Sequence, residues 1–272
     1  MIANRLNSTW NALLANPQTR RCLERIPTVK NRIPPLGRTH PFDRKYGIDT
    51  SGFVPVQKIA PRRELISQIS PYTGSQPSII RSAIAALGDP HEYSFIDMGC
   101  GKGRALVVAA EFPFRDISGV ELSRQLANTA RRNLGIVKRR NPTIPPFTII
   151  KDNATAIPLP EGKLVLFMYH AFGGNLVSRL IRNLEAKLSA ESQHTFVICY
   201  NPVHGDLFDA SPAFSRWYAA TLPYDDSELG FGLDTNDSVV IRQSVVGSKL
   251  TPHPNADRAI IAKPPWRADL AN

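Results

Sequence analysis

The stretch Ser94–Ser123 reads SFIDMGCGKGRALVVAAEFPFRDISGVELS. A short apolar run, Phe95-Ile96, ends in Asp97, and glycines follow at alternate positions, Gly99, Gly101 and Gly103. An alanine-rich apolar segment from Ala105 to Ala110 comes next, and a second short apolar run closes on Glu121. The order predicts strand, glycine loop, helix, strand, acid, the first half of a nucleotide-binding α/β unit. Glycines take positive φ and carry no Cβ, so such a loop turns tightly and lets a ligand lie on its backbone. A helix after Gly103 would aim its free N–H groups and positive dipole end at that ligand. The acid at the end of the second strand is placed to accept hydrogen bonds from ribose hydroxyls.

The spacing separates two ligand classes. A dinucleotide fingerprint needs G-x-G-x-x-G, with the pyrophosphate on the helix N-terminus. Here the third glycine comes one residue early, Arg104 stands where a small residue is required, and Asp97 would repel a pyrophosphate. A carboxylate there suits a ligand with an ammonium group. The pattern D-x-G-x-G-x-G over residues 97–103, with V-E-L at 120–122, resembles the cofactor site of class I methyltransferases that use S-adenosyl-L-methionine. The wider likeness, to a bacterial group of these enzymes, covers about residues 42–245. It implies a Rossmann-like, doubly wound, mostly parallel seven-stranded α/β sheet with one antiparallel strand. By the same resemblance Asp97 serves the methionine ammonium, Gly99, Gly101 and Gly103 the approach of the cofactor, and Glu121 the ribose.

Composition supports a globular chain. The 272 residues are 42% hydrophobic with no apolar run long enough for a membrane span. Three scattered cysteines (Cys22, Cys100, Cys199) and six dispersed histidines give no metal signature and suit a reducing compartment such as the cytoplasm. Net charge is +10, and residues 1–40 hold seven Lys or Arg against Glu24 alone. Arg131, Arg132, Lys138, Arg139 and Arg140 form a second basic group. Segments 1–40 and 131–140 therefore favour an anionic partner, or simply keep a basic protein soluble. No internal repeat is visible.

Along the chain, Ile2, Leu6, Trp10 and Leu13 predict an N-terminal docking helix, and four prolines over 27–41 an extended linker. The expected divisions are 1–41, helix and linker; 42–246, methyltransferase domain; and 247–272, a loosely packed tail. Residues 42–56 form a polar loop; in the resembled fold such chain folds over the methionine end of the cofactor. YTGSQPS (72–78) is similar to a tyrosine loop of some non-SET protein-lysine methyltransferases, which makes Tyr72 a candidate for closing the cofactor pocket. Pro77 opens a helix that Gly88 ends. Ser123 is an N-cap for the helix carrying Leu126, Ala130 and Leu134.

A third strand, 147–151, runs into Asp152 and Asn153, the place where the resembled family receives the adenine amine; an ordinary turn would use the same pair. A fourth strand, 163–168, ends in Tyr169-His170-Ala171-Phe172, where nucleic-acid amino methyltransferases carry N-P-P-Y or D-P-P-Y. His170 has the ordinary pKa of a general base, although a strand-end histidine is often structural. A buried fifth strand, 195–200, leads to Asn201 and His204, and strands at 217–222 and 238–241 would close the sheet. These features favour a methyl acceptor that is a protein side-chain nitrogen or a small molecule. RNA methylation, a non-catalytic cofactor-binding module and an NAD-dependent oxidoreductase are the alternatives.

Overall fold

The computed structural model describes residues 38–231, 234–247 and 250–263, together with Thr19, Cys22 and Arg25. The helix expected over 2–14, most of the 27–41 linker and the tail from 264 onward lie outside the described residues.

Seven strands pair into one sheet: β1 (Ser94–Met98), β2 (Asp116–Val120), β3 (Phe147–Ile150), β4 (Leu164–Tyr169), β5 (Thr195–Tyr200), β6 (Phe214–Pro223) and β7 (Asn236–Ser244). Their order is β3-β2-β1-β4-β5-β7-β6. All pairs from β3 through β5 are parallel, and β7 runs antiparallel to both its neighbours. The central strands carry continuous apolar runs because both faces are covered. Side chains alternate across the sheet: Phe95, Val165, Phe167, Phe196 and Ile198 enter one core, and Ile96, Leu164, Leu166, Met168 and Val197 the other. Helices α1 (Pro77–Ala85), α2 (Arg104–Ala109) and α3 (Arg124–Arg140) fill the first core, and α4 (Gly174–Ala190) and α5 (Gly205–Asp209) the second. This is the doubly wound Rossmann-like architecture.

The chain leaves β1 toward β2 and β3, then returns to place β4 on the other side of β1. Such a switch point opens a crevice at the strand C-termini, where α/β folds bind ligands. Asp97, Tyr169 and the glycine loop all lie at that end.

Local signals explain the helix starts. Ser123 caps α3, its hydroxyl accepting from the Leu126 amide at 3.4 Å. Pro77 opens α1, but the cap comes from far away: the buried carboxylate of Glu228 accepts from the Ser78 amide at 2.9 Å. The last two strands run longer than their apolar residues indicate. Pairing continues into the buried Arg242, Gln243 and Ser244; Arg242 donates from Nε to Asp209 and from Nη2 to the Gly205 carbonyl, each at 2.8 Å, while its Nη1 has no partner among the described residues. Of the expected tail, residues 250–263 are held on the sheet at both ends. The His253 amide donates to the Trp217 carbonyl at 3.0 Å, and Lys263 and Asn201 exchange two hydrogen bonds at 2.7 and 3.0 Å. No described helix is long and apolar enough to cross a membrane.

Candidate functional site

A single pocket at the switch point is lined by Tyr72, Asp97, Gly99, Gly101, Glu121, Asp152, Asn153, Tyr169, His170 and Phe172, among others. Eight of the nine candidate residues therefore converge on one cavity. Gly103 does not line it. It takes φ 84° at the N-cap of α2, and a Cβ there would stand 3.1 Å from Ala130, so its smallness serves the packing of α2 on α3.

Asp97 is the penultimate residue of β1 and is 4% exposed. Its carboxylate has no hydrogen-bond or ion-pair partner among the described residues. Burial, with the nearby Glu121 charge adding, pushes its pKa well above the ordinary value of 3.8. A buried carboxylate without a counter-charge is costly, and this one faces the pocket.

Glu121, 5% exposed, is held differently. One oxygen accepts from the Gly101 amide at 2.9 Å and the other from the Ser123 amide at 2.7 Å. Burial raises its pKa, and these backbone donors work against the rise. The acid thus fixes the glycine loop to the start of α3, a role its position alone does not reveal. Each oxygen keeps a lone pair for a ligand hydroxyl.

The glycine loop is shaped as much by protein as by any ligand. Gly101 has φ 54°, and a Cβ there would fall 2.3 Å from the Tyr72 ring. Tyr72 therefore lies on the loop, anchored by its hydroxyl, which donates to the Thr50 carbonyl at 2.6 Å. Among the described residues Arg104 is the one Lys or Arg in the lining, and each of its three guanidinium nitrogens donates to the protein. It donates to Thr50 Oγ1 at 2.7 Å, the Thr50 carbonyl at 2.9 Å and the Ser75 carbonyl at 3.1 Å, with the Asp43 carboxylate 4.0 Å away. Asp43 in turn accepts from the Thr50 amide and hydroxyl and from the Ser51 hydroxyl. The 42–56 segment, expected as a loop, opens instead with a short helix, Pro41–Tyr46, capped by His40, and is pinned by Arg104 at the start of α2.

Asp152 follows β3 and is exposed; one of its oxygens accepts from the Asn153 amide at 2.7 Å. Asn153 spends its oxygen on the Thr155 amide and hydroxyl, at 3.0 and 3.1 Å, in the turn its sequence suggests. Of the pair, Asp152 retains the acceptor capacity.

His170 has φ 30°, a left-handed conformation that is uncommon outside glycine, and it stacks on Tyr169 with 4.5 Å between ring centroids. Its Nδ1 lies 3.1 Å from the Tyr169 carbonyl. Burial, and secondarily His204, lower its pKa to about 4. A neutral imidazole with its Nδ1–H engaged offers Nε2 as an acceptor, but it is a weak base at neutral pH. Asn201, the other non-glycine residue at positive φ (47°), uses its amide to grip the Lys263 backbone.

No protein-family profile matches the chain, and no curated protein matches it in sequence. Solved structures do. A Listeria monocytogenes protein, proposed to be a class I S-adenosylmethionine-dependent methyltransferase, matches at 13% identity and TM-score 0.44 over 66% of this chain; the match spans 62% of that protein. An rRNA methylase from Streptococcus thermophilus matches at 11% identity and TM-score 0.41, over 64% of this chain and 99% of that one. Magnesium protoporphyrin IX methyltransferase from Synechocystis PCC 6803, solved with S-adenosylmethionine bound, matches at 13% identity and TM-score 0.41, over 61% of this chain and 76% of that one. All three are described as methyltransferases.

The double grip of Glu121 changes which variant reports on it. Alanine would orphan the Gly101 and Ser123 amides and disturb the loop itself. Glu121→Gln keeps one carbonyl acceptor and the side-chain volume. Its expected cost is about 1–3 kcal/mol of stability, read by urea denaturation, from the amide that loses its acceptor. A variant as stable as wild type would mean that the glycine loop holds its place without the Glu121 clamp.

Proposed function

We propose that the chain is an S-adenosylmethionine-dependent methyltransferase. The observation that carries this reading is the charge of the pocket. Asp97, Glu121 and Asp152 line it, and its one Lys or Arg is already bound to protein acceptors. That interior disfavours a pyrophosphate and suits a ligand bearing cationic groups, so an NAD-dependent oxidoreductase fits poorly.

In this reading Asp97 takes the ammonium of the methionine end, and Gly99 and Gly101 offer their backbone beside it. Glu121 uses its remaining lone pairs on the ribose hydroxyls, and Asp152 accepts from the adenine amine. Tyr72 closes over the loop. When bound, S-adenosylmethionine supplies a methyl group made electrophilic by its positive sulfonium. The chain's part is to hold the acceptor in line and exclude water. His170 contributes a neutral hydrogen-bond acceptor that orients the incoming nucleophile, in place of the general base expected of it.

Two acceptor classes find support. The missing N-P-P-Y turn after β4 favours a protein side-chain nitrogen or small molecule over the exocyclic amine of a base. The rim of the pocket favours an anionic carrier, RNA, with methylation at another atom. Isothermal calorimetry tests the cofactor. Saturable binding of S-adenosylmethionine and of its demethylated product at one site per chain is expected, with no heat from NAD. Absence of binding by both would overturn the assignment, and binding without methyl transfer to any cell-extract component would leave a non-catalytic module.

A further inference from the structure

The pocket's interior is acidic, but its rim is not. Ile59 and Leu65 line the pocket, half-buried, and the short turns that carry them, Val56–Ile59 and Arg63–Leu65, bear Lys58 and Arg63, with Arg62 capping the second. All three residues are exposed, and their cationic side chains make no hydrogen bond or ion pair among the described residues. Glu64 is the one acid in this segment.

A groove begins just before the same segment, at Val54. It is lined by Asp49, Val54 and Lys102 and, from α3, by Gln125, Asn128, Thr129 and Arg132. Those four α3 residues are spaced i, i+3, i+4 and i+7, so they lie along one helix face. Arg132 is exposed and unpartnered among the described residues, whereas Lys102 is neutralised by Asp49 at 2.8 Å. Leu126, a buried side chain, lines both groove and pocket, so the two adjoin across it.

The juxtaposition fits a particular partner. A cationic cofactor needs an acidic interior. Unpaired guanidiniums at the mouth then act on whatever enters second, and guanidinium geometry matches phosphate oxygens. A run of neutral hydrogen-bonding side chains ending in an arginine suits a sugar–phosphate backbone. Phe172, half-buried in the pocket lining, offers apolar ring surface to a base turned into the pocket.

We propose that Lys58, Arg62, Arg63 and Arg132 form the track for a single-stranded RNA segment, one nucleotide of which presents the methyl acceptor. This rests on the methyltransferase reading for the chemistry but not for the binding.

The test uses the full chain, with the demethylated cofactor present, and a fluorescently labelled single-stranded RNA oligonucleotide of mixed sequence. Anisotropy should show binding that weakens with salt. The variant Lys58→Gln/Arg62→Gln/Arg63→Gln should lose at least about tenfold in affinity at low salt. Its slope of log affinity against log salt should be shallower by about 2, since each phosphate contact on a single strand contributes about 0.7. Arg132→Gln should flatten the slope by a further ~0.7. Calorimetric binding of S-adenosylmethionine should be unchanged in both variants, which shows that they fold. Wild-type RNA affinity in the triple variant, or equal binding of polyglutamate of matched length, would overturn the proposal, the latter in favour of an acidic protein. Loss of cofactor binding by the wild type with RNA binding intact would instead defeat the methyltransferase reading. Labelled methyl recovered from a cell extract in the protein fraction alone would also overturn the RNA assignment.

Discussion

Replacing Asp97 with Asn is expected to weaken S-adenosylmethionine binding by about 10- to 150-fold while stabilising the ligand-free protein. The first number is the ~1.5–3 kcal/mol of a hydrogen bond to a charged group. The second effect follows from the burial of a carboxylate that no described residue neutralises. Its folded-state pKa lies above the unfolded value, because of burial first and the Glu121 charge second. The sign is therefore the reverse of the usual salt-bridged aspartate. Its contribution to stability is fully present below the ordinary carboxylate pKa and is lost as pH rises through the folded-state value. At neutral pH the empty wild type bears that cost, and Asn does not. A gain of about 0.5–2 kcal/mol is typical of relieving such a functional strain.

Ligand binding inverts the balance. In the proposed reading an ammonium beside Asp97 lowers its pKa again, so binding below the raised pKa of the free site releases a proton. Wild-type affinity should rise as pH increases from the ordinary carboxylate range through the raised pKa of the free site, then level off. Asp97→Asn should flatten this profile. Calorimetry in buffers of different ionisation enthalpy counts the released proton directly, and thermal melts give the stability change. A variant that binds as tightly as wild type, or that melts lower without ligand, would remove Asp97 from the proposed role.

What could be read in the sequence is what obeys short-range rules. The alternate glycines, the acids at the ends of β1 and β2, and the two-sided apolar runs of β4 and β5 all announce themselves within a few residues. So does the pocket, since strand order carries those ends to one place. The rest depends on partners with no fixed spacing. Arg104 reads as a misfit to the dinucleotide pattern, yet its guanidinium is bound by Thr50 and Ser75. Glu121 reads as a ribose acid, and the backbone it clamps is invisible until the loop is folded. Gly101 looks like room for a ligand, and the room is partly filled by Tyr72. Glu228 at the start of α1 and the Asn201–Lys263 pair each join residues more than sixty positions apart. Hydrophobic periodicity finds a face. It does not find the residue across from it.

Arg104 is where those distant partners matter most, and Arg104→Ala should be the most destabilising single change near the pocket. The guanidinium is 4% exposed and Asp43 is 1% exposed. Removing it leaves the Asp43 carboxylate buried with neutral donors only, and takes a donor from the Thr50 and Ser75 carbonyls. Breaking a buried pair by deleting one partner costs about 3–5 kcal/mol, which for a chain of this size lowers the melting temperature by roughly 10 °C. Lysine should rescue little, because one ammonium cannot reach three acceptors on two loops. The loss should reach the ligand as well. Tyr72 is anchored on the same Thr50 carbonyl that Arg104 holds, so releasing Thr50 loosens the ring that lies on Gly101. Gly74 offers an independent check. A Cβ there would stand 2.5 Å from the guanidinium, so Gly74→Ala should displace Arg104 and reproduce part of its loss. Urea denaturation and cofactor calorimetry on the two variants decide the matter. An Arg104→Ala protein within about 1 kcal/mol of wild type would mean that the 42–56 loop and the tyrosine loop hold their places without it.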